Sequence, residues 1–414
     1  MLVGVAAQSV AFLIVARYLG KANYGQLTAI NALTAACSSW VQFGTAELMR
    51  RRVALDVKQY GQILGHCLII LFVFGLIATF LISIAMAFFL HLGGGWFADF
   101  MVIWLLAICT LLLYPWMVLV EQIFLAHDMF LRANVTNAGF GAWRAVVAAI
   151  GCISFGAHSL SDWAAWNFAA YAVASLAGAV AVAPFGRPIF RLLREEIPIG
   201  ATFGVSGFLY NLRANIDILS LSAISPPEVV GSYGLARKLV GIAIVTSASL
   251  DRLFYSRLVQ ASQQGLRRAL SVAIKFAGYA LLISGVTAIG LYFLSPLFIP
   301  MLFGSAYKDA TPLVQLLCGV IPVIALQNLA FDALNSANLH RVQVAISSVC
   351  VIVGASLLAL LTRTYAIAGA ISGVYVMELS VAVALWAGLG SLARLGSQSK
   401  LSLLFKPIHP APRG

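Results

Sequence analysis

An arginine and an aspartate lie four residues apart in the middle of a long apolar run. Arg213 and Asp217 both fall inside a predicted membrane span at 199–224, and an i,i+4 spacing places them on one face of a helix. An ionisable side chain in mid-membrane is expensive to keep and by default indicates function. One interpretation is that Arg213 binds an anionic cargo while Asp217 tunes it or takes a proton. The other is a neutral structural ion pair.

Four more basic residues lie within or at the ends of apolar runs. They are Arg144, midway in the fifth predicted span, Arg237 and Lys238, two turns into the eighth, and Arg17, at the end of the first. Arginine suits phosphate because its planar fork of donors matches the phosphate oxygens. We therefore predict an anion-binding cavity lined by these residues, with Arg213 as the most important. The alternatives are bonds to carbonyl groups within the bundle for Arg144, and snorkelling to the outer interface for the other three.

One further carboxylate, Glu378, lies near the middle of the last predicted span. It could be protonated, pair with an arginine or relay protons. The six cysteines form no CxxC pair and the six histidines show no HxxxH spacing. We therefore predict no metal site and no cofactor.

The elements that must position these residues are membrane helices. Of the 414 residues, 61% are hydrophobic and 10% are charged, whereas a soluble domain carries about 25% charged residues. The apolar runs approach or exceed the roughly 20 residues that a spanning helix needs, and they lack the alternation of a β-barrel. Twelve spans are predicted, at about 2–19, 26–49, 63–90, 100–124, 134–156, 163–184, 199–224, 231–254, 270–294, 312–335, 342–362 and 366–390.

The distribution of basic residues predicts the topology. Eighteen Lys and Arg fall in one set of loops and tails and four in the other. Because basic residues collect on the cytoplasmic side, both termini are predicted in the cytoplasm. This bias accounts for the net charge of +12 and, since no basic face is interleaved with aromatics, nucleic acid is excluded as a partner.

The chain divides into two predicted halves. An N-terminal six-helix bundle at 1–184 is followed by a cytoplasmic connector at 185–198, a C-terminal six-helix bundle at 199–390 and a cytoplasmic tail at 391–414. The connector carries both charges and an apolar face, so we expect it at the cytoplasmic interface. Each half has a Tyr-Gly in the predicted outer turn between its first two spans, and an even number of spans per half predicts a parallel repeat.

Several motifs carry a resemblance to a known family. They are Ala16-Arg17-Tyr18-Leu19-Gly20, Tyr24-Gly25, Gly44 and Arg50-Arg51-Arg52-Val53-Ala54 in the first half, and Ile197-Pro198, Asp217, Val230-Gly231-Ser232-Tyr233 and Ala236-Arg237-Lys238-Leu239 in the second. Together they resemble the lipid-linked oligosaccharide (Wzx-type) polysaccharide flippases of the multidrug/oligosaccharidyl-lipid/polysaccharide (MOP) exporter superfamily. Family members usually have a cytoplasmic segment before the first span, and its absence here leaves open whether Met1 is the natural start.

The resemblance implies an all-α polytopic membrane protein with about twelve transmembrane helices, as two six-helix bundles in a V around a cavity. It implies alternating access, with spans 1, 2, 7 and 8 near the cleft. The implied cargo is a polyprenyl-diphosphate-linked oligosaccharide, moved from the cytoplasmic to the outer leaflet of the bacterial inner membrane for surface polysaccharide biosynthesis. We expect a monomer in contact with membrane lipids, and the coupling ion, proton or sodium, stays open.

Two rival functions remain. A multidrug cation antiporter of the same fold should present carboxylates to its cavity, but four basic residues and only two carboxylates lie within the spans away from their ends. That balance favours an anionic cargo. A membrane glycosyltransferase or polymerase needs positioned carboxylates or a sizeable outer loop, and the outer loops here are short. We therefore predict a transporter without enzymatic activity.

Overall fold

The computed structural model describes residues 2–90, 92–248 and 251–395, and these are helical almost throughout, without a strand. The α-helices are α1 (Leu2–Gln42), α2 (Thr45–Leu55), α3 (Tyr60–Phe89), α4 (Trp96–Ile108), α5 (Tyr114–Ala126), α6 (Phe130–Ala149), α7 (Leu160–Val182), α8 (Ile197–Ser222), α9 (Pro227–Ala248), α10 (Asp251–Gln263), α11 (Leu266–Phe303), α12 (Ala310–Leu317), α13 (Val320–Ser336) and α14 (His340–Leu395). Short π-helical turns at Cys109–Leu113 and Ile150–Ser154 follow α4 and α6.

The longest helices each combine two predicted spans. In α1 the backbone leaves the helical region at Gly20, where φ is +73°, a conformation that glycine adopts without strain. In α14 the break is at Ala366, where φ is +49° and ψ is −125°. The sequence predicted a polar turn over residues 20–25, but a single glycine makes the break and the helix resumes at once.

The helices differ in composition, and some are much more apolar than others. Within the described ranges, six stretches are long and apolar enough to cross a membrane, namely Val57–Phe89, Trp96–Ala126, Leu160–Phe185, Leu266–Phe303, Ala310–Ser336 and His340–Arg394. The predicted spans outside this set belong to α1, α6, α8 and α9, the helices that carry most of the candidate site residues. A helix that packs inside a bundle tolerates such polar groups, whereas a lipid-facing helix does not.

The described chain forms two compact units. The first comprises the chain up to Ile242 with Ile289–Cys318 and Val351–Met377. The second comprises Ala243–Ala288, Gly319–Cys350 and the chain from Glu378 on. The boundaries of the predicted halves remain a prediction.

The first unit contains an apolar core next to the short helix α2. Met49 and Val53 of α2 are buried together with Leu119 and Ile123 of α5. Their i,i+4 spacing forms one apolar stripe, so α2 can lie along the bundle and leave its basic residues outside.

Helices α1 and α8 pack closely because α8 presents glycines. Gly200, Gly204 and Gly207 face Phe43 and Ser39 near the end of α1, and a Cβ at Gly200 would lie 2.5 Å from the Phe43 carbonyl oxygen. Small residues of this kind allow membrane helices to approach one another closely.

In the second unit, α10 packs against α13 and α14 packs against α13. The Ser262 hydroxyl of α10 donates to the Ser336 carbonyl at 2.8 Å. The Trp386 indole of α14 donates to the Leu326 carbonyl at 3.0 Å. Side-chain donors thus satisfy main-chain acceptors between helices, as a low-dielectric interior requires.

Candidate functional site: charged clusters of the first unit

The two Tyr-Gly motifs lie against each other. A Cβ at Gly25 of α1 would overlap the carbonyl oxygen of Pro227 at the start of α9, and a Cβ at Gly231 would overlap the carbonyl oxygen of Lys21. The two backbones are therefore in contact, and only glycine permits this distance. We call this contact of α1 with α9 the glycine seam.

Both motifs are helical, which corrects their predicted placement in a turn. Tyr24 follows the break at Gly20 and Tyr233 lies two turns into α9. The Thr28 hydroxyl donates to the Tyr24 carbonyl at 2.8 Å, and a Cβ at Gly234 would lie 2.5 Å from the Thr28 methyl group. The motif recurs because each helix needs a residue without a side chain where its backbone contacts the other helix.

Next to the seam, the buried carboxylate of Asp217 has two partners on α9. Its Oδ2 accepts from the Tyr233 hydroxyl at 2.7 Å and lies 2.5 Å from Nε of Arg237. Asp217 and Tyr233 are completely buried, and the Arg237 side chain is 13% exposed. The sequence predicted Arg213, one turn away on α8, as the partner. The structure provides one from the next helix, so Arg237 does not snorkel to the interface.

Arg144 lies among aromatic side chains. Its guanidinium carbon is 5.0 Å from the centre of the Tyr171 ring and 5.8 Å from that of Phe140. Phe140 is one turn before Arg144 on α6, and Tyr171 comes from α7. Cation–π contacts of this kind hold a guanidinium in place without neutralising its charge. Arg144 forms no ion pair with any residue that the structure describes.

Lys238 is solvent-accessible, although much protein surrounds it. Arg144 is near enough for the two positive charges to repel each other, and no carboxylate in the described part of the chain pairs with Lys238 either. Glu121 accepts from the Asn137 amide at 2.9 Å and, like Arg144, lies near Tyr114.

Arg17 is exposed and caps a helix. Its guanidinium donates to the carbonyl oxygens of Leu302 at 3.2 Å and Met301 at 3.5 Å, at the end of α11. A cation at a helix C-terminus satisfies free carbonyls and the helix dipole. This placement favours the structural alternative for Arg17 over the predicted cargo-binding role.

The remaining predicted residues lie elsewhere. Arg213 is half-buried on α8 and interacts with other groups of the protein. Glu378 is buried in α14, within the second unit. The described residues contain no group of three His, Cys, Asp or Glu that could hold a metal, and the six cysteines are free thiols.

Several polar contacts of the site have no signal in the sequence. Tyr233 belongs to a sequence motif, but the motif does not indicate that its hydroxyl donates to Asp217. Lys21 donates to Asp309 at 2.5 Å, and the Tyr307 hydroxyl donates to the Ala16 carbonyl at 2.8 Å. Each pair joins residues far apart in sequence, so no local spacing signals it.

No protein-family model and no curated protein sequence matches the chain. Solved structures do match. A multidrug resistance MATE family transporter of the MOP superfamily in an inward-facing conformation superposes with a TM-score of 0.79 at 13% identity, covering 94% of this chain and 96% of that one. An outward-facing conformation of such a transporter gives 0.61 at 14% identity, covering 95% and 94%.

A third match is a MOP superfamily transporter from Pyrococcus furiosus, described by the reversed polarity of its binding pocket. Its TM-score is 0.65 at 15% identity, covering 94% of this chain and 92% of that one. These similarities extend over nearly the whole chain. The protein therefore has the all-α membrane fold of the MATE transporters of the MOP superfamily, with about twelve spanning helices in two six-helix bundles.

Proposed function

We propose that this protein flips a polyprenyl-diphosphate-linked oligosaccharide from the cytoplasmic to the outer leaflet by alternating access, for surface polysaccharide biosynthesis. In this proposal it acts as a monomer in a bacterial inner membrane with both termini in the cytoplasm. The observation that carries the proposal is the pair Arg144 and Lys238. Two cations that repel each other and have no carboxylate partner are stabilised by a bound anion.

The geometry suits a diphosphate. Arg144 offers a planar fork of donors, held by the Tyr171 and Phe140 rings, and Lys238 offers an accessible point charge from α9. Charge-assisted hydrogen bonds to phosphate are about twice as strong as neutral ones. The proposal includes no covalent step and thus no enzymatic activity.

The rival is a multidrug cation antiporter, and two of the matched structures are described as multidrug resistance MATE family transporters. Its supporting observation is the buried carboxylate of Asp217, but Oδ2 of that group already contacts Arg237 and Tyr233. Another matched MOP superfamily transporter has a binding pocket of reversed polarity, which its description says suggests a different function. We therefore rank the anionic cargo first.

The test is flipping of a fluorescent polyprenyl-diphosphate sugar in proteoliposomes. Loss of one charge-assisted bond of about 1.5–3 kcal/mol should slow flipping by about 10- to 100-fold in Lys238→Gln and in Arg144→Gln, with unchanged protein levels. Lys238→Glu should abolish it. Arg132→Gln removes an exposed cation from the same helix as Arg144 and should be neutral. Efflux of ethidium by the wild-type protein, enhanced in Lys238→Glu, would instead support the antiporter.

A further inference from the structure

The segment between α7 and α8 lies in a groove made by glycines. A Cβ at Gly65 of α3 would overlap the carbonyl group of Ile189, and one at Gly61 would lie 2.8 Å from the Arg187 carbonyl oxygen. The Ile189 amide donates to the Gly61 carbonyl at 2.7 Å. The connector thus crosses the first turns of α3 in direct backbone contact, and its residues 186–193 form neither a helix nor a strand.

Two more contacts fix the end of the connector. The Leu193 amide donates to Nδ1 of His66 at 3.0 Å. Glu196 is buried and forms an ion pair with Arg52 of α2. With its backbone held at both ends, the connector presents a fixed set of side chains on its free side.

Several large apolar side chains are exposed on that free side. Ile189 is 55% exposed, Phe190 69% and Leu192 45%. Leu55 at the end of α2, near the Arg52 contact, is 84% exposed. Such a patch on an anchored segment is unfavourable in water and indicates a surface that binds something apolar.

The same segment carries three exposed cations between the apolar residues. Arg187, Arg191 and Arg194 form no ion pair with a described residue. Glu195 is the exposed acid beside them. We call the side chains of Arg187, Ile189, Phe190, Arg191, Leu192 and Arg194 the connector face. Its mixture of apolar and basic groups is typical of a membrane–water interface.

The depth of the connector agrees with that location. The exposed apolar residues of α3 within its long lipid-facing run begin at Phe72 and continue to Phe89, about 25 Å along the helix, which nearly matches the roughly 30 Å hydrocarbon core. Gly65 lies about 10 Å before Phe72, so the connector is next to the headgroup layer, which is roughly 5–8 Å thick. The side chains of Phe190 and the arginines are long enough to reach from the connector backbone into the headgroup layer.

We infer that the connector face binds anionic phospholipid headgroups of the surrounding leaflet, with the three arginines on the phosphates and Phe190 in the interfacial layer. This inference does not depend on the cargo. A soluble partner is disfavoured because the face adjoins the lipid-exposed belt of α3. The cargo diphosphate is a single molecule, whereas the cations spread over eight residues of the connector.

The test uses the full-length protein in nanodiscs of phosphatidylcholine with phosphatidylglycerol, followed by native mass spectrometry of the lipids retained. The variant is Arg187→Gln/Arg191→Gln/Arg194→Gln. Each cation near an anionic surface contributes about fivefold, so retention of phosphatidylglycerol should weaken by up to about a hundredfold, and retention of phosphatidylcholine should not change. The effect should also diminish at high salt because salt screens exposed charges.

The matched control removes three equally exposed cations elsewhere, in Arg132→Gln/Arg268→Gln/Arg363→Gln. An equal loss in this control, or no loss in the connector variant, would overturn the inference. Retention of added polyprenyl diphosphate but not of phosphatidylglycerol by the connector would also overturn it, in favour of cargo recruitment. A melting curve of each variant excludes misfolding as the cause.

A second measurement needs no charge removal. A Phe190→Cys variant carrying an environment-sensitive fluorophore should shift to shorter wavelength on reconstitution and be quenched more by brominated phosphatidylglycerol than by brominated phosphatidylcholine. Equal quenching by the two lipids would contradict headgroup selectivity. A fluorophore that stays in water would refute the interfacial placement.

Discussion

Two neighbouring residues of α9 show why a charge is kept inside a membrane protein. Arg237 is 13% exposed and lies 2.5 Å from the buried carboxylate of Asp217. Lys238, the next residue, is accessible, has no carboxylate partner in the described chain and is repelled by Arg144. Successive helical residues point about 100° apart, so Arg237 faces a packed interface while Lys238 is exposed. The first charge stabilises the structure, and the second is available to a ligand.

The largest effect that tests this difference is on stability. Asp217→Leu should lower the free energy of unfolding by about 3–5 kcal/mol because it leaves Arg237 as a buried charge without its carboxylate. The loss would appear as a lower melting temperature in detergent and a lower level in the membrane. The double variant Asp217→Leu/Arg237→Leu should recover most of it. A stable single variant, or a double variant no better than the single one, would contradict a structural pair.

The glycine seam should respond to the addition of one methyl group. Gly25→Ala places a Cβ where the Pro227 carbonyl oxygen lies, and overpacking costs about 1–3 kcal/mol or more when the backbone must move. We expect a lower melting temperature. Gly241→Ala is the matched control, because a Cβ there has no neighbour within 4 Å and alanine favours a helix by about 1 kcal/mol. Equal effects of the two substitutions would show that the seam is not tightly packed.

A substitution at Arg144 can test the contribution of its charge separately from that of its planar guanidinium group. In Arg144→Lys the charge remains, but the planar group that stacks on Tyr171 is lost, and cation–π contacts contribute about 0.5–2 kcal/mol. We expect the concentration of labelled cargo for half-maximal flipping to rise by about 2- to 30-fold, with no change in membrane level. Full activity of Arg144→Lys would mean that only the charge matters at this position.

The composition predicted a membrane protein of long helices because a chain with 61% hydrophobic residues has few alternatives, whereas the arrangement in two bundles was implied by the family resemblance. Long apolar runs also locate most helices within a few residues. The sequence did not indicate that the helices break at the single residues Gly20 and Ala366, because a helix can change direction at one residue without a polar loop. The repeated Tyr-Gly was recognised as a pattern, but its packing role depends on which helices meet.

The sequence indicated which charged residues belong to the candidate site, but not which of them form pairs. Asp217 and Arg213 satisfy the i,i+4 rule, yet the described contacts of Asp217 come from Tyr233 and Arg237 on another helix. Lys21 and Asp309 are 288 residues apart. Such pairs depend on tertiary packing, which a single sequence does not encode in any local spacing.

The smallest effect concerns that last pair, which is the exposed counterpart of Asp217 and Arg237. The Lys21 side chain is 20% exposed and that of Asp309 75%, so water and salt weaken the attraction, and exposed pairs contribute less than about 1 kcal/mol. The hydrogen bond from Lys21 and its positive charge lower the pKa of Asp309 below its ordinary value of 3.8.

A carboxyl group with a lowered pKa contributes stability at pH values above its unfolded value, and the contribution is lost as the pH falls through the lower folded value. The wild-type protein should therefore melt slightly higher than Asp309→Asn at pH 7 in low salt. The difference should vanish once the pH falls below the lowered folded pKa of Asp309, and in 1 M salt, where the Debye length is about 3 Å. Asp309→Asn should leave the Asp217 pair unaffected, so the double variant Asp309→Asn/Asp217→Leu should show additive losses. A loss from Asp309→Asn as large as that from Asp217→Leu would show that exposure does not decide the strength of these pairs.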